Sequence, residues 1–407
     1  MRLYVSGKAL RMRSRLSDDS AKLWILSCSI FAIGGLGAGV LGVVWIYIEA
    51  DFGVTLSALG AMLTAATIGR TITSSVSGPI IGRFGIAPVM MGGAGIGIFS
   101  QLGLALSPSW PMFMIAAVGH GFGSGVMGVG LNAFAAVNFS ARRMNWLHGS
   151  FGIGSTIGPY FVTTVVIDLG IDWRWIYALF AGTRVLMLLM FYLTRHQWRI
   201  GEAKAKSAPF RMRQTIRLPI IWLMVGAWLM ATGNELVAGQ FSNSFLINAR
   251  GIEPKTAAAW VSMYWVSLTV SRFFSGFIIT RISTTSFMRL NNVIIMLGAG
   301  LLSANLSPLT SLIGLALIGF AIAPFAPLMS SETPGLVGSA HTANAMGLQF
   351  TGASLGMALL PWLGGILAET VGLEVIPQYV FLIALVTFIL YEGIIRRDFK
   401  RPVAKAY

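Results

Sequence analysis

Charge is scarce in this chain. Only 11% of its 407 residues are Asp, Glu, Lys or Arg, against 55% hydrophobic. A soluble chain of this size needs more charge to coat its surface, so a soluble globular protein is excluded. Acid is scarcer still, with 14 Asp and Glu against 29 Lys and Arg, for a net charge of +15. That excess does not mark a nucleic-acid partner, because the basic residues flank apolar stretches and line no single face. Cysteine is nearly absent. Cys28, the only one, sits in the first apolar run, which rules out an intramolecular disulfide and leaves a small packing residue. Period-two alternation is missing, which excludes a membrane barrel. No metal-ligand, nucleophile–base or nucleotide-binding spacing occurs. The glycine runs at 121–125 and 128–130 lie within apolar spans, where they serve close helix packing. The expectation is a protein without cofactor, metal or enzymatic activity, and not a pump driven directly by nucleotide.

What the chain has is apolar length. Stretches of ~18 to 28 apolar residues recur, and ~20 suffice for a helix to cross the hydrocarbon core. Backbone groups in lipid must satisfy each other, so these stretches are helices. Twelve spans are predicted: 23–48, 55–80, 86–106, 111–137, 147–168 and 174–195, then 218–247, 256–280, 286–306, 309–330, 340–368 and 374–395. The ninth and tenth are divided by a single turn signal, Ser303-Ala-Asn-Leu-Ser-Pro-Leu309. Lys8, Arg11, Arg13 and Arg15 precede an apolar run too long for a signal peptide, so it is read as a retained first span.

Twenty-three of the 29 basic residues fall on one side of this topology. The other side holds only Arg174, Arg250 and Lys255, together with Glu49, Asp51, Asp168, Asp172, Glu253, Glu369 and Glu374. The positive-inside rule then places both termini in the cytoplasm. The domain plan is a cytoplasmic tail (1–22), a six-helix bundle (23–195), a cytoplasmic linker (196–217), a second six-helix bundle (218–396) and a tail (397–407).

The two bundles carry a repeat. Gly78-Pro-Ile-Ile-Gly-Arg83 ends the second span and Gly276-Phe-Ile-Ile-Thr-Arg281 ends the eighth. A chain of six plus six helices with parallel repeats is the architecture of a rocking transporter. Here the sequence resembles the major facilitator superfamily, whose motif after the second helix runs roughly G-x-x-x-D-R-x-G-R/K. Gly78, Arg83 and Gly85 match it, while Gly82 stands in place of the Asp and Ile86-Ala87 in place of the last basic residue. Gly233-Asn-Glu235, Asn243-Ser-Phe-Leu246, Ala259-Trp-Val-Ser-Met-Tyr-Trp265, Ser271-Arg272 and Phe151-Gly-Ile-Gly-Ser-Thr-Ile-Gly-Pro159 are similar to the fucose–galactose–glucose:proton symporter group and its sodium–glucose-like relatives. The resemblance implies sugar symport, but the acids which that group uses in its first and fourth helices have no counterpart here.

Ionisable groups inside a bilayer are costly and mark function by default. Glu235 is the only acid deep in a span. It reads either as a ligand for solute and coupling ion, able to take up and release a proton, or as a structural carboxylate at a helix contact. Asn234, Gln240 and Asn243 extend a polar stretch around it, and Gly233 and Gly239 offer points of local unwinding. Arg70 and Arg184 are either salt-paired structural cations or solute-facing donors. Arg272, nearer the cytoplasmic end, is expected to snorkel and, with Arg83 and Arg281, to serve the inner gate. Three interior cations against one acid imply an anionic substrate or partners at span ends such as Glu332 and Glu392. His120, with Asn132 on the same span, is a second coupling candidate. Gln101, Asn344 and Gln349 are either cavity polars or helix-to-helix hydrogen bonders, Gln349 being the best placed. Tyr264 and Trp260 share a face and either stack a sugar ring or, for Trp260, sit in the interfacial belt, where Trp110, Trp173 and Trp175 are also placed.

The expectation is an all-α, twelve-helix secondary transporter of the major facilitator fold, monomeric among membrane lipid in a bacterial inner membrane. It would move a small organic solute, sugar-like by resemblance, with a proton or sodium ion. Proton-coupled efflux of amphipathic compounds and a non-transporting receptor or scaffold are the alternatives.

Overall fold

The computed structural model describes residues 7–139, 141–198 and 212–398. The first half comprises α1 (Gly7–Phe52), α2 (Ser57–Phe84), α3 (Ile86–Leu106), α4 (Trp110–Asn138), α5 (Ala141–Val162) and α6 (Arg174–Thr194). A short turn, α7 (Met212–Thr215), leads into α8 (Pro219–Ser244), α9 (Pro254–Ile278), α10 (Thr284–Ala304), α11 (Pro308–Ile322), α12 (Phe325–Val337), α13 (Ser339–Thr370) and α14 (Val375–Asp398). Helices α11 and α12, broken at Pro324, form one span. The helices therefore supply twelve spans, and among the described residues there is no strand. Most of the 196–217 linker, with Arg199, Lys204, Lys206 and Arg211, lies outside the described residues, as do Arg2, Lys400, Arg401 and Lys405. The segment expected as an N-terminal tail joins α1 from Gly7 onward.

Local chemistry sets the helix boundaries. Proline occupies the first turn of α4, α8, α9 and α11, where its missing N–H removes no helical bond. The turn between the ninth and tenth spans is where Ser303–Leu309 predicted it. Asn305 takes the left-handed conformation (φ 46°), and Ser307 and Thr310 form a reciprocal capping box. Glu253 caps α9 by accepting from the backbone N–H groups of Lys255 and Thr256.

Helix contacts repeat across the two halves. In the first half α1 packs on α5, α2 on α4, α3 on α4 and α3 on α6. The second half repeats these pairs as α8 on α13, α9 on α11, α10 on α11 and α10 on α14. Between the halves α2 meets α13, α9 meets α5, and α1 meets α8. The α2–α13 and α9–α5 contacts are each other's counterpart and the α1–α8 contact is its own, as a pseudo-two-fold axis requires. Glycine carries the repeat further than the matched span ends. Gly154 and Gly158 on α5 stand 198 residues before Gly352 and Gly356 on α13, as 78 stands before 276. A Cβ on any of the four would strike the backbone of α1 or α8, so the helices touch there only because the side chain is hydrogen.

Ten of the spans are long and apolar enough to cross a membrane on composition alone. The two that are not, α2 and α9, are the second helix of each half. Both line the cross-half interface, where Thr64 of α2 donates to the Ala358 carbonyl (2.7 Å) and Thr269 of α9 packs on Gly152. Their polar residues face protein, which is why hydropathy underrates them. Composition, helix packing and length together identify an integral, multi-pass membrane protein.

The two ends of the bundle differ in charge. At the acid-rich end, the three basic residues are all ion-paired: Arg174 with Asp51, Arg250 with Glu374 (2.8 Å) and Lys255 with Asp168 (2.8 Å). The last pair joins the halves, as does the Ser57 backbone N–H donating to Glu369 (2.7 Å). Trp173, expected in the interfacial belt, is instead buried in an aromatic cluster with Phe52, Phe113 and Tyr177, while Trp175 is exposed as a belt residue should be. The cluster forms because α1, α4 and α6 converge at that end.

Candidate functional site

The second half holds an ion pair in its interior. Arg272 of α9 donates to the Glu235 carboxylate of α8 at 3.0 Å, with side chains 26% and 24% exposed. The expected snorkelling of Arg272 toward the interface does not occur. Its guanidinium turns to the only deep acid available, since an ion pair at that depth offsets more than a longer reach to water would. Glu392, a candidate partner for interior arginines, is taken by Arg289 through two hydrogen bonds. Tyr264 donates to the Glu235 backbone carbonyl (2.9 Å) and packs edge-on against Trp265, with ring centroids 5.1 Å apart. Gly239 and Gly319 make room for the two rings. Tyr264 is wholly buried, so it is not open to stack a solute ring; Trp260 is half-buried. Helix α8 runs unbroken past Gly233 and Gly239, and the unwinding expected there is absent. Both glycines instead admit neighbours: Leu360 and Gly356 at the first, Trp265 and Tyr264 at the second.

The polar stretch around Glu235 splits three ways. Asn234 faces α14, donating to the Val380 carbonyl (3.3 Å). Gln240 and Asn243 point across the molecule to α1, donating to the carbonyls of Ala38 (3.1 Å) and Val43 (3.5 Å). They join the two halves at the axis. A helix presents its residues all round, so adjacency in sequence did not bring these amides to the carboxylate.

The first half holds cations without an acid. Every carboxylate between residues 23 and 195 lies at the acid-rich end: Glu49, Asp51, Asp168 and Asp172. Arg184 on α6 is 8% exposed, its stem laid over Gly97 of α3 and its guanidinium against the Met187 sulfur (3.9 Å). Gln101 on α3 contacts the His120 ring on α4 (Nε2 to Nδ1, 3.2 Å). His120 lies within electrostatic reach of both Arg184 and Arg70. On α2, one line of residues (Ala66, Gly69, Thr73) packs on α4 and another (Ser57, Gly60, Thr64) on α13. Arg70, half-buried, has its backbone against Gly125 of α4 and lies on the helix side opposite the exposed Ile68, Ile72 and Val76.

The remaining candidates are dispersed. Asn132 donates back to the Gly128 carbonyl of its own helix (2.8 Å). Gln349, 1% exposed, pairs with Thr333 (3.0 Å) and links α13 to α12, so it serves helix contact. Asn344 bonds Thr215 (3.1 Å). Arg83 and Arg281 are exposed at the basic end, Arg83 over the Phe84 ring. Sequence reasoning passed over Asn291 and Asn292 of α10. They line a cavity inside the second half with Asn234 and Thr387, and neither the amide nitrogen nor the carbonyl oxygen of Asn291 has a partner. Two adjacent asparagines in an apolar span were the signal available.

The Major Facilitator Superfamily model matches residues 26–331 and 223–402, and the chain belongs to that superfamily. A chloramphenicol resistance protein of Pseudomonas aeruginosa is 23% identical over 61% of each chain. The glucose/mannose transporter GlcP of Bacillus subtilis (strain 168) is 22% identical over 64% of this chain and 66% of its own. The matches thus span about two thirds or less of these relatives' lengths. Among solved structures, a bacterial homologue of the human lysosomal transporter Spinster, inward-facing and unoccupied, superposes with a TM-score of 0.77 at 12% identity, covering 93% of this chain and 98% of that one. The nucleoside transporter NupG gives 0.72 at 16% identity (94% and 100% covered), and the E. coli fucose:proton symporter FucP 0.62 at 17% (92% and 99% covered). These likenesses establish the fold.

Proposed function

We propose that the chain is a secondary active transporter that moves a small organic solute by alternating access, coupled to a proton or sodium gradient through Glu235. The carrying observation is the Glu235–Arg272 pair, a switchable contact between adjacent helices at membrane depth. Protonating the carboxylate, or giving it a sodium ion, releases the guanidinium, and the pair reforms when the ion leaves. Tyr264, anchored to the Glu235 backbone, fixes where that exchange takes place. The halves rock about the α1–α8 contact, with the basic end and both termini in the cytoplasm. In the conformation observed, the acid-rich end is closed by α2–α13 packing at Gly60 and Gly365 and by two exposed ties, Lys255–Asp168 and Ser57–Glu369. The ties contribute little individually, so opening that end turns mainly on the helix packing.

The resemblance to sugar symporters and the GlcP match support inward symport of a sugar-like solute. The chloramphenicol resistance match supports the second reading, proton-coupled extrusion of an amphipathic compound. Proteoliposomes separate the two. Glucose accumulation driven by an inward proton or sodium gradient, lost in Glu235→Gln, supports symport. Gradient-driven chloramphenicol extrusion, likewise lost, supports efflux. Flux of either kind that Glu235→Gln leaves unchanged removes Glu235 from coupling.

A further inference from the structure

Two interior cations of the first half, Arg70 and Arg184, have no acid of their own half at their depth. Arg184 is buried, and among the described residues neither it nor Arg70 makes an ion pair. No acid lies deeper in that half than Glu49, Asp51, Asp168 and Asp172, and Arg174 and Lys255 occupy two of these. Glu235 is held by Arg272 in the other half. Two uncompensated guanidinium charges in a low-dielectric interior are costly, and evolution tolerates them where a counter-ion arrives with function. Gln101 adds an independent sign. It is 4% exposed, it touches His120 through one end of its amide, and its other end has no partner among the described residues. Four helices, α2, α3, α4 and α6, therefore bring Arg70, Gln101, His120 and Arg184 to the surroundings of His120, with no acid among them and the Gln101 carbonyl oxygen unpartnered among the described residues.

We propose that this cluster is an anion subsite: the transported solute carries a carboxylate or phosphate, received by Arg70 in the field of Arg184, with Gln101 and His120 completing its hydrogen bonds. The division of labour follows from exposure. Arg70 is only half-buried and makes the contact, whereas Arg184 is buried with its stem against Gly97 of α3 and supplies background potential. A guanidinium fits both anionic groups, because its planar fork donates to two oxygens at once. The inference rests on the transporter reading and gives its substrate class. It also explains how the chain dispenses with acids in its first and fourth spans: this half binds charge, and the other half handles the coupling ion.

The test uses the full chain in lipid nanodiscs, with thermal shift and tryptophan fluorescence as readouts. Gluconate, glucose 6-phosphate and benzoate are compared with the uncharged glucose and benzamide. At least one anion is expected to bind about tenfold more tightly than its neutral counterpart, with an affinity that falls as salt rises. Arg70→Gln is expected to erase that preference and Arg70→Lys to retain part of it. Equal or tighter binding of the neutral compounds by the unmodified chain overturns the proposal without any variant, as does the absence of anion binding. A preference that survives in folded Arg70→Gln overturns it too. Gradient-driven flux of the same five compounds and of chloramphenicol, in proteoliposomes from the same preparation, keeps the two readings apart: flux without anion preference sinks the subsite alone, and absence of gradient-driven flux of every one of them sinks the transporter.

Discussion

The two halves share one set of helix contacts and treat charge in opposite ways. In the second half, the interior acid and the interior cation meet, Glu235 with Arg272, and the half is neutral by itself. In the first half, Arg70 and Arg184 stand near His120 with no acid in reach. Packing repeats because it rests on small residues at fixed spacing, the Gly154/Gly158 and Gly352/Gly356 pairs. Charge need not repeat, because a rocking machine needs one place that changes protonation or ion occupancy and another that holds cargo. The pseudo-two-fold axis is thus a rule about backbones, broken where the side chains work.

The largest expected effect tests the shared packing. Gly158→Leu and Gly356→Leu each drive a side chain into a partner helix, which costs about 1–3 kcal/mol or more. Both should lower the melting temperature in detergent to a similar extent. One variant unfolding and the other staying intact breaks the symmetry of the two contacts. Next comes Glu235→Gln, which removes a charge-assisted hydrogen bond worth about 1.5–3 kcal/mol, hence about tenfold or more in coupled flux. Its counterpart in the first half, Arg184→Met, should leave proton or sodium coupling in place while weakening solute affinity. Loss of coupling in both variants dissolves the contrast between the halves. Lys255→Ala releases one of the two ties at the acid-rich end. Spin-label distances across that end should show an open population raised by less than about fivefold, as befits an exposed pair. The smallest effect belongs to Glu253, whose carboxyl is held below the usual carboxylate range by the backbone N–H groups of Lys255 and Thr256 and by the Thr256 hydroxyl. A depressed pKa stabilises the folded state above the unfolded value, and that contribution fades as pH falls through the folded one. Glu253→Ala should therefore lower the melting temperature slightly at pH 7, by an amount that shrinks as pH falls through the folded value.

The span plan was legible because lipid imposes a length on every crossing. The turn at Ser303–Leu309 was legible because capping and proline act locally, whereas Pro219 and Pro254, which start α8 and α9, were not used as signals. The candidate site was less so. Glu235 stood out as the only deep acid, but that Arg272 would reach it depended on how α9 rotates against α8. Tyr264 read as a solute-stacking ring and is a buried brace. Asn234, Gln240 and Asn243, neighbours in sequence, serve three different contacts.

By itself the sequence determined the solvent, the number of crossings and the spread of charge between the two ends, since each depends on residue type and linear distance. It also determined that the first half carries interior cations and no interior acid. Only the tertiary structure decided which charges neutralise each other. Pairing over a few ångströms depends on helix rotation and register, set by contacts between elements such as Gly239 against Tyr264 and Trp265. That is why Arg272 became a partner, and why Arg70 and Arg184 were left without one.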